Sequence, residues 1–171
     1  MQHKINNAYQ VLNQSSTIRT SIQKYIESEG LKFFDVTRRG FKLGIVPKEI
    51  LDQDPIIKKI LDRTPKSFGG MIFHMDPWTS YVWHFDGNRG CAINMLIKGE
   101  GHTYFGEKIN DRNYLYEELV YERDQLYLFN TSTEHTIFNK SEERWVLSIG
   151  FPLTTTYQDL LSVCKSLDLI G

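Results

Sequence analysis

The sequence predicts a mainly β protein with flanking helices, built as an antiparallel sandwich or jelly-roll barrel. From Gly69 onward the chain divides into about eight short β-type runs bounded by turn residues. The links between them are brief, such as Asp86-Gly87-Asn88-Arg89-Gly90 and Lys98-Gly99-Glu100-Gly101, and no helical pattern interrupts the series. Strands joined this way argue against a parallel sheet with crossover helices. Aromatics at 13%, with 9 Tyr and 10 Phe, suit a strand-rich packed chain.

Residues 14–29 open the chain's regular structure with Ile18, Ile22, Tyr25 and Ile26 as one amphipathic stripe, which Gly30 would terminate. Leu31–Phe34 and Phe41–Val46 read as short extended pieces around the charged turn Thr37-Arg38-Arg39-Gly40. Pro47 starts a second helical stretch, Lys48–Asp62, which the internal Pro55 splits in two. Pro65, Gly69 and Gly70 close this region, and nothing before Lys66 reads as catalytic. The strand candidates then follow: Gly70–Met75, Ser80–Phe85, Cys91–Lys98, His102–Phe105, Leu115–Tyr121, Leu126–Asn130, His135–Asn139 and Arg144–Phe151. After Pro152, Tyr157–Leu169 is a final helix with Leu160, Leu161, Cys164 and Leu167 on its buried side. One domain over 1–171 is expected, with 1–68 as a helical support, 69–151 as the β core and 152–171 as the closing helix.

Composition narrows the function classes. A chain of 171 residues with 40% hydrophobic content can bury a substantial core. Lys and Arg number 20 against 21 acids, a net charge of −1, and the basic residues are scattered. Nothing there would drive binding to a nucleic-acid backbone. The N-terminus lacks a signal-peptide core and no run of 18 apolar residues occurs, so a soluble, cytoplasmic protein without a membrane partner is expected. Cys91 and Cys164 form no paired metal spacing and read as buried free thiols.

The chemistry centres on Trp83-His84-Phe85-Asp86-Gly87. In an extended strand His84 and Asp86 point one way while Trp83 and Phe85 point the other. With a distant second imidazole, His135, they make the two-histidine, one-carboxylate set of a non-haem Fe(II) centre with open positions. The last strand aligns Arg144, Val146, Ser148 and Gly150 on one face and Trp145, Leu147, Ile149 and Phe151 on the other. A guanidinium on the small, polar face needs an anion to meet it, and a dicarboxylate in the barrel would supply one. Asn94 is a second polar residue on an otherwise apolar inward face, with Ala92 and Leu96. Trp78, Tyr81 and Arg89 lie near the expected mouth and are candidates for substrate contact.

Each of these residues also has an ordinary reading. Asp86 before Gly87 could be a turn residue, and Arg144 could be a surface partner of Glu142 or Glu143. Asn94 could be a buried amide satisfied by backbone. Trp83, Phe85 and Trp145 read as packing residues, and His3, His74 and His102 as structural or exposed.

Gly69–Phe151 resembles the double-stranded β-helix, the cupin-like jelly roll, of the Fe(II)- and 2-oxoglutarate-dependent oxygenases. Within that superfamily it most resembles the aspartyl/asparaginyl β-hydroxylase-like and phage-type members. The matching pieces are Trp83-His84-Phe85-Asp86-Gly87, Cys91-Ala92-Ile93-Asn94-Met95-Leu96, Leu126-Tyr127-Leu128-Phe129-Asn130 running into Glu134-His135, and Arg144. The resemblance implies that His84, Asp86 and His135 are catalytic and hold Fe(II). It also implies that Arg144 meets the distal carboxylate of 2-oxoglutarate, with Asn94 and Ser148 lining the co-substrate site and O2 taking the remaining position on the metal. Relatives place Ser or Thr two residues after the basic residue, where this chain has Val146; Ser148 lies one step further along the same face. Asp86 fills the carboxylate position that a halide would need, which points to hydroxylation. The implied substrate is an amino-acid side chain, free or in a polypeptide, or another small molecule. Two other classes stay open at this stage: a cupin-type metalloenzyme without 2-oxoglutarate, and a non-catalytic jelly-roll binding module.

Overall fold

A computed structural model describes residues 5, 7–29, 31–35, 40–64, 66–111 and 113–170. Gly30, Thr37 to Arg39, Pro65 and His3, singled out in the sequence, lie outside these described residues. The elements run β1 (Tyr9–Ser15), α1 (Ile18–Glu29), β2 (Phe33–Asp35), β3 (Phe41–Val46), α2 (Lys48–Leu51) and α3 (Pro55–Arg63). The β core follows as β4 (Gly70–Met75), β5 (Ser80–His84), β6 (Cys91–Lys98), β7 (His102–Lys108), β8 (Tyr114–Val120), β9 (Gln125–Phe129), β10 (Glu134–Phe138) and β11 (Arg144–Phe151). Helix α4 (Tyr157–Ser166) ends the described chain's regular structure.

Two antiparallel sheets form the jelly roll. The major sheet has the order β1-β9-β6-β11-β4-β3-β2, and the minor sheet β5-β10-β7-β8. Non-consecutive neighbours such as β6 and β11 are paired in register from Ile93↔Ile149 through Phe151↔Cys91. Side-chain alternation along these strands separates two cores. Ile93, Met95, Leu147 and Ile149 face the helices and join Ile22 and Ile57 in one cluster. Ala92, Leu96 and Val146 face the minor sheet and join Phe105 and Phe129 in the other. The alternation read from the sequence of β11 therefore holds strand-wide.

The helices are fixed by local chemistry. Pro55 stands in the first turn of α3, where its missing N–H costs nothing, and so splits the stretch into α2 and α3 as the sequence predicts. Asp54 caps α3: its Oδ1 accepts from the amides of Ile56 and Ile57 at 3.0 and 2.9 Å. Its Oδ2 accepts from the Ser16 hydroxyl and the Thr17 amide, both at 2.8 Å, so one buried carboxylate joins the starts of two helices. Thr156 and Asp159 form a reciprocal capping box on α4. Among the described residues no helix is long and apolar enough to cross a membrane.

The structure corrects the sequence reading at element edges. Helix α1 starts at Ile18, and the residues before it form β1, an edge strand on β9 that the sequence reading does not include. Strand β7 extends to Lys108, and β5 stops at His84, one residue short of the expected end. Gly99, with φ +79, shapes the β6–β7 link, where a Cβ would collide with the Glu143 carbonyl oxygen beside the start of β11.

Candidate metal centre and its cavity

The site lies between the sheets, in a cavity of about 370 Å³, within the range of small-molecule sites. The minor sheet supplies both histidines. His135 on β10 pairs with His84 on β5, yet Ile137 pairs with Tyr81, so three residues of β5 span what two span on β10. This bulge lets Tyr81 and His84 both face the cavity, with ring centroids 4.3 Å apart. Trp83 turns to the outer face instead, against Tyr114 and Tyr116. Its expected packing role holds, whereas Phe85 is 60% exposed.

Asp86 lies beyond the end of β5, so strand alternation does not place it. Its amide donates to the Thr131 carbonyl at 3.1 Å, and its Oδ2 accepts from Arg89 Nε at 2.7 Å. The fully buried Thr131 also donates its hydroxyl to the Arg89 carbonyl at 2.7 Å. The loop carrying Asp86 is thereby fastened to the turn that leads into His135.

His84, Asp86 and His135 each offer one ligand atom, and these atoms lie within 4.8 Å of one another, a group that could hold a metal ion. His84 Nε2 is 3.5 Å from Asp86 Oδ1 and His135 Nε2 is 3.9 Å from Asp86 Oδ2. Both imidazoles donate Nδ1–H to a carbonyl two residues earlier, His84 to Val82 and His135 to Thr133, each at 2.8 Å. That bond leaves Nε2 as the lone-pair nitrogen facing the carboxylate, the arrangement metal ligation requires. Burial pushes the His135 imidazole down to about 4; the His84 and Arg89 charges add to this, while the Thr133 carbonyl and Asp86 oppose it. For Asp86, burial alone would raise the carboxyl, but His84, Arg89 and His135 outweigh it and bring it down to about 2. At neutral pH His135 is thus a neutral imidazole and Asp86 an ionised carboxylate, ready for a cation.

The major sheet supplies the other wall. Arg144 is 2% exposed, and its guanidinium makes only weak contacts, with Met75 Sδ at 3.5 Å and Thr103 Oγ1 at 3.4 Å. It also lies over the Tyr121 ring, 5.4 Å from the centroid, and its Nε has no hydrogen-bond partner. Neither neighbouring acid answers it: Glu143 pairs with Lys98 at 2.9 Å. Burial lowers the Arg144 pKa, with Tyr121 working the other way, but a guanidinium stays charged in proteins. Asn94 is buried beside Ser148 on the paired strand, and its Oδ1 is also without a partner. The unanswered guanidinium fits an anionic guest, and the unpaired Asn94 Oδ1 fits a donor or a water beside it.

Of the mouth candidates, Tyr81 and Arg89 line the cavity, while Trp78 is 70% exposed and does not. Arg89 donates to Ser148 Oγ at 2.9 Å as well as to Asp86. Sequence reasoning passed over Phe41 and Leu43 of β3, which also line the cavity. Their signal was present, since Phe41 and Leu43 share one face of a strand already expected there. His74 and His102 stay outside the cavity; His74 packs among Phe33 and Trp145, and His102 Nδ1 lies 2.6 Å from Glu118.

No family model matches the chain, and no curated protein does. Solved structures do. A prolyl hydroxylase from Trichoplax adhaerens, in complex with a hypoxia inducible factor oxygen degradation domain peptide fragment, matches with TM-score 0.61 at 12% identity, over 92% of this chain and 88% of its own. A 2OG-Fe(II) oxygenase family oxidoreductase from Burkholderia pseudomallei gives 0.62 at 10% identity, over 86% and 85%. HygX from Streptomyces hygroscopicus, with nickel and 2-oxoglutarate bound, gives 0.62 at 9% identity, over 88% and 85%. At such identities the likeness is one of fold, and it agrees with the helix-flanked jelly roll.

Proposed function

We propose that the protein is an Fe(II)- and 2-oxoglutarate-dependent dioxygenase that hydroxylates an amino-acid side chain, free or polypeptide-bound, or another small molecule. The observation that carries this reading is Arg144. A buried guanidinium with no carboxylate partner among the described residues faces the same cavity as a two-histidine, one-carboxylate set. Leaving a buried charge unanswered is costly unless a ligand answers it. A cupin-type enzyme without a keto-acid co-substrate needs no cation there, and a binding module for an anion would give the two-histidine, one-carboxylate set no role.

In this reading His84, Asp86 and His135 hold Fe(II), and Arg144 receives the distal carboxylate of 2-oxoglutarate. Asn94 and Ser148 lie on the strands that wall the co-substrate, and Asn94 offers its free carbonyl oxygen to a donor or a water there. When bound, iron and 2-oxoglutarate would supply O2 activation coupled to decarboxylation of the keto acid to succinate. The protein's own part is positional. The carbonyls of Val82 and Thr133 hold both imidazoles in the ligating tautomer, and Arg89 holds Asp86. Phe129 and Phe105 close over His135 with centroids 5.2 and 6.2 Å from its ring, keeping water from that side. The order of the histidine, aspartate and arginine motifs supports an aspartyl/asparaginyl hydroxylase-like or phage-type affiliation, with Asp86 completing a three-ligand set. Among the solved structures of the same fold are one in complex with a peptide fragment and one with nickel and 2-oxoglutarate bound.

The test is an anaerobic titration with Fe(II) and 2-oxoglutarate, following the weak visible charge-transfer band of a metal-bound keto acid. We expect the band in the native protein, its loss in His84→Ala, and a demand for at least tenfold more 2-oxoglutarate in Arg144→Met. Iron binding without any band would overturn the co-substrate assignment, and no metal binding at all would overturn the enzyme.

A further inference from the structure

Building on the oxygenase reading, we infer that the primary substrate is a small carboxylate with an apolar body, and that Arg89 reads its carboxylate. Arg89 lines the cavity with only part of its guanidinium committed. Its Nε holds Asp86 and its Nη1 holds Ser148, while Nη2 makes no hydrogen bond among the described residues. Its guanidinium carbon lies 5.6 Å from the Phe73 ring centroid, so the head is braced on an apolar floor with one edge open.

Position separates this cation from the other one. Arg144 and Ser148 share one face of β11 four residues apart, about 13 Å along a strand. Arg89, anchored on Ser148, therefore sits toward the opposite end of the cavity from Arg144. A five-carbon dicarboxylate running from the metal ligands to Arg144 leaves the Arg89 end for the second reactant.

Charge points the same way. Among the described residues, the charged side chains lining the cavity besides the two imidazoles are Asp86, Arg89 and Arg144. With a divalent ion and the 2-oxoglutarate dianion in place, these three side chains leave a surplus of one positive charge. The ion also draws on the carboxylate that Arg89 otherwise holds, which releases the guanidinium toward a new partner. A cationic substrate would be repelled there, and a neutral one would leave the surplus unanswered. The apolar body has a wall waiting: Phe41, Leu43, Tyr81 and Ile137 face the same space.

The experiment uses protein loaded with Zn(II) and 2-oxoglutarate, which binds without turnover. Calorimetry compares hexanoate with hexanamide and N-acetyl-leucine with N-acetyl-leucinamide. We expect both carboxylates to bind at least tenfold tighter than their amides. Compared at saturating Zn(II), because it also removes a hold on Asp86, Arg89→Gln should cost the carboxylates about ten- to a hundredfold relative to their amides, the worth of a charge-assisted hydrogen bond. Asn88→Asp, at the neighbouring exposed cavity position, leaves the Asp86 contacts in place and should weaken the carboxylates severalfold. Amides binding as well as carboxylates, no carboxylate binding, or carboxylates indifferent to both substitutions would each overturn the inference. So would an Arg89→Gln protein that needs more 2-oxoglutarate but binds the probes normally, since Arg89 would then read the co-substrate. Absence of the keto-acid band in native protein is a different result: it removes the oxygenase reading itself, and this inference with it.

Discussion

At the scale of single residues, Arg144 trades stability for binding. Its guanidinium is fully buried against a thioether, a threonine hydroxyl and a tyrosine ring, with no carboxylate partner among the described residues. Replacing even a buried ion pair by apolar side chains of similar volume is often neutral or stabilising by about 1–4 kcal/mol, and a charge without a pair has less to lose. Arg144→Met is therefore expected to raise the denaturant midpoint of the ligand-free protein while weakening its response to 2-oxoglutarate at least tenfold. A large destabilisation would mean that Arg144 is a structural strut. His135 sets a pH dependence. In the unfolded chain it takes up a proton near 6.5 and in the folded protein only near 4. The unfolded state thus binds more protons across that window, so stability is full above about pH 6.5 and falls as pH drops toward 4. The loss reaches about 3 kcal/mol. Urea titrations of metal-free native and His135→Gln protein should show a slope that shrinks in the variant, with the remainder carried by His74, whose pKa burial also lowers.

At the scale of elements, the link from His84 to Arg89 is held by one hydroxyl. Thr131 takes the Asp86 amide on its carbonyl and gives its own proton to the Arg89 carbonyl. Thr131→Val keeps the shape and leaves that buried carbonyl unanswered, which should cost about 1–3 kcal/mol. Zn(II) affinity should fall about tenfold or more, as for other outer contacts of metal ligands. Thr131→Ser should restore both in an unfolding and metal titration series; equal metal affinity in all three proteins would show that the loop holds Asp86 unaided. None of this was readable in the sequence, because it depends on two turns meeting across the barrel. The residue types and order of His84, Asp86, His135 and Arg144 were readable, and the clean alternation of β11 placed Arg144 on the cavity face; alternation did not place Asp86, which lies past the end of β5. The β5 bulge was not readable, and it is the bulge that puts Tyr81 beside His84. Strand β1 was missed for a related reason: of Tyr9–Ser15 only Leu12 is buried, and the partner β9 lies more than a hundred residues away. A polar edge strand carries little periodicity of its own.

For the whole molecule, the candidate site is divided between the sheets. His84 and His135 belong to the minor sheet, and Arg144, Asn94 and Ser148 to the major one. A metal ion alone would engage one side, and 2-oxoglutarate alone chiefly the other, so each should bind better when its partner is present. Calorimetric melting with Zn(II), with 2-oxoglutarate and with both should give a combined shift larger than the two separate shifts added. Arg144→Met should erase the surplus. Simple additivity in the native protein would mean that the two ligands do not meet.

The histidines' Nδ1 bonds reach main-chain carbonyls, those of Val82 and Thr133. Side-chain identity at these two positions is therefore free to drift over generations without disturbing where the imidazole protons sit. Length is not free: a one-residue insertion or deletion at either place would take away the carbonyl while leaving every ligand in the gene. The tolerance of this centre to change is thus written in spacing, and an alignment scored by residue identity alone would overlook what preserves it.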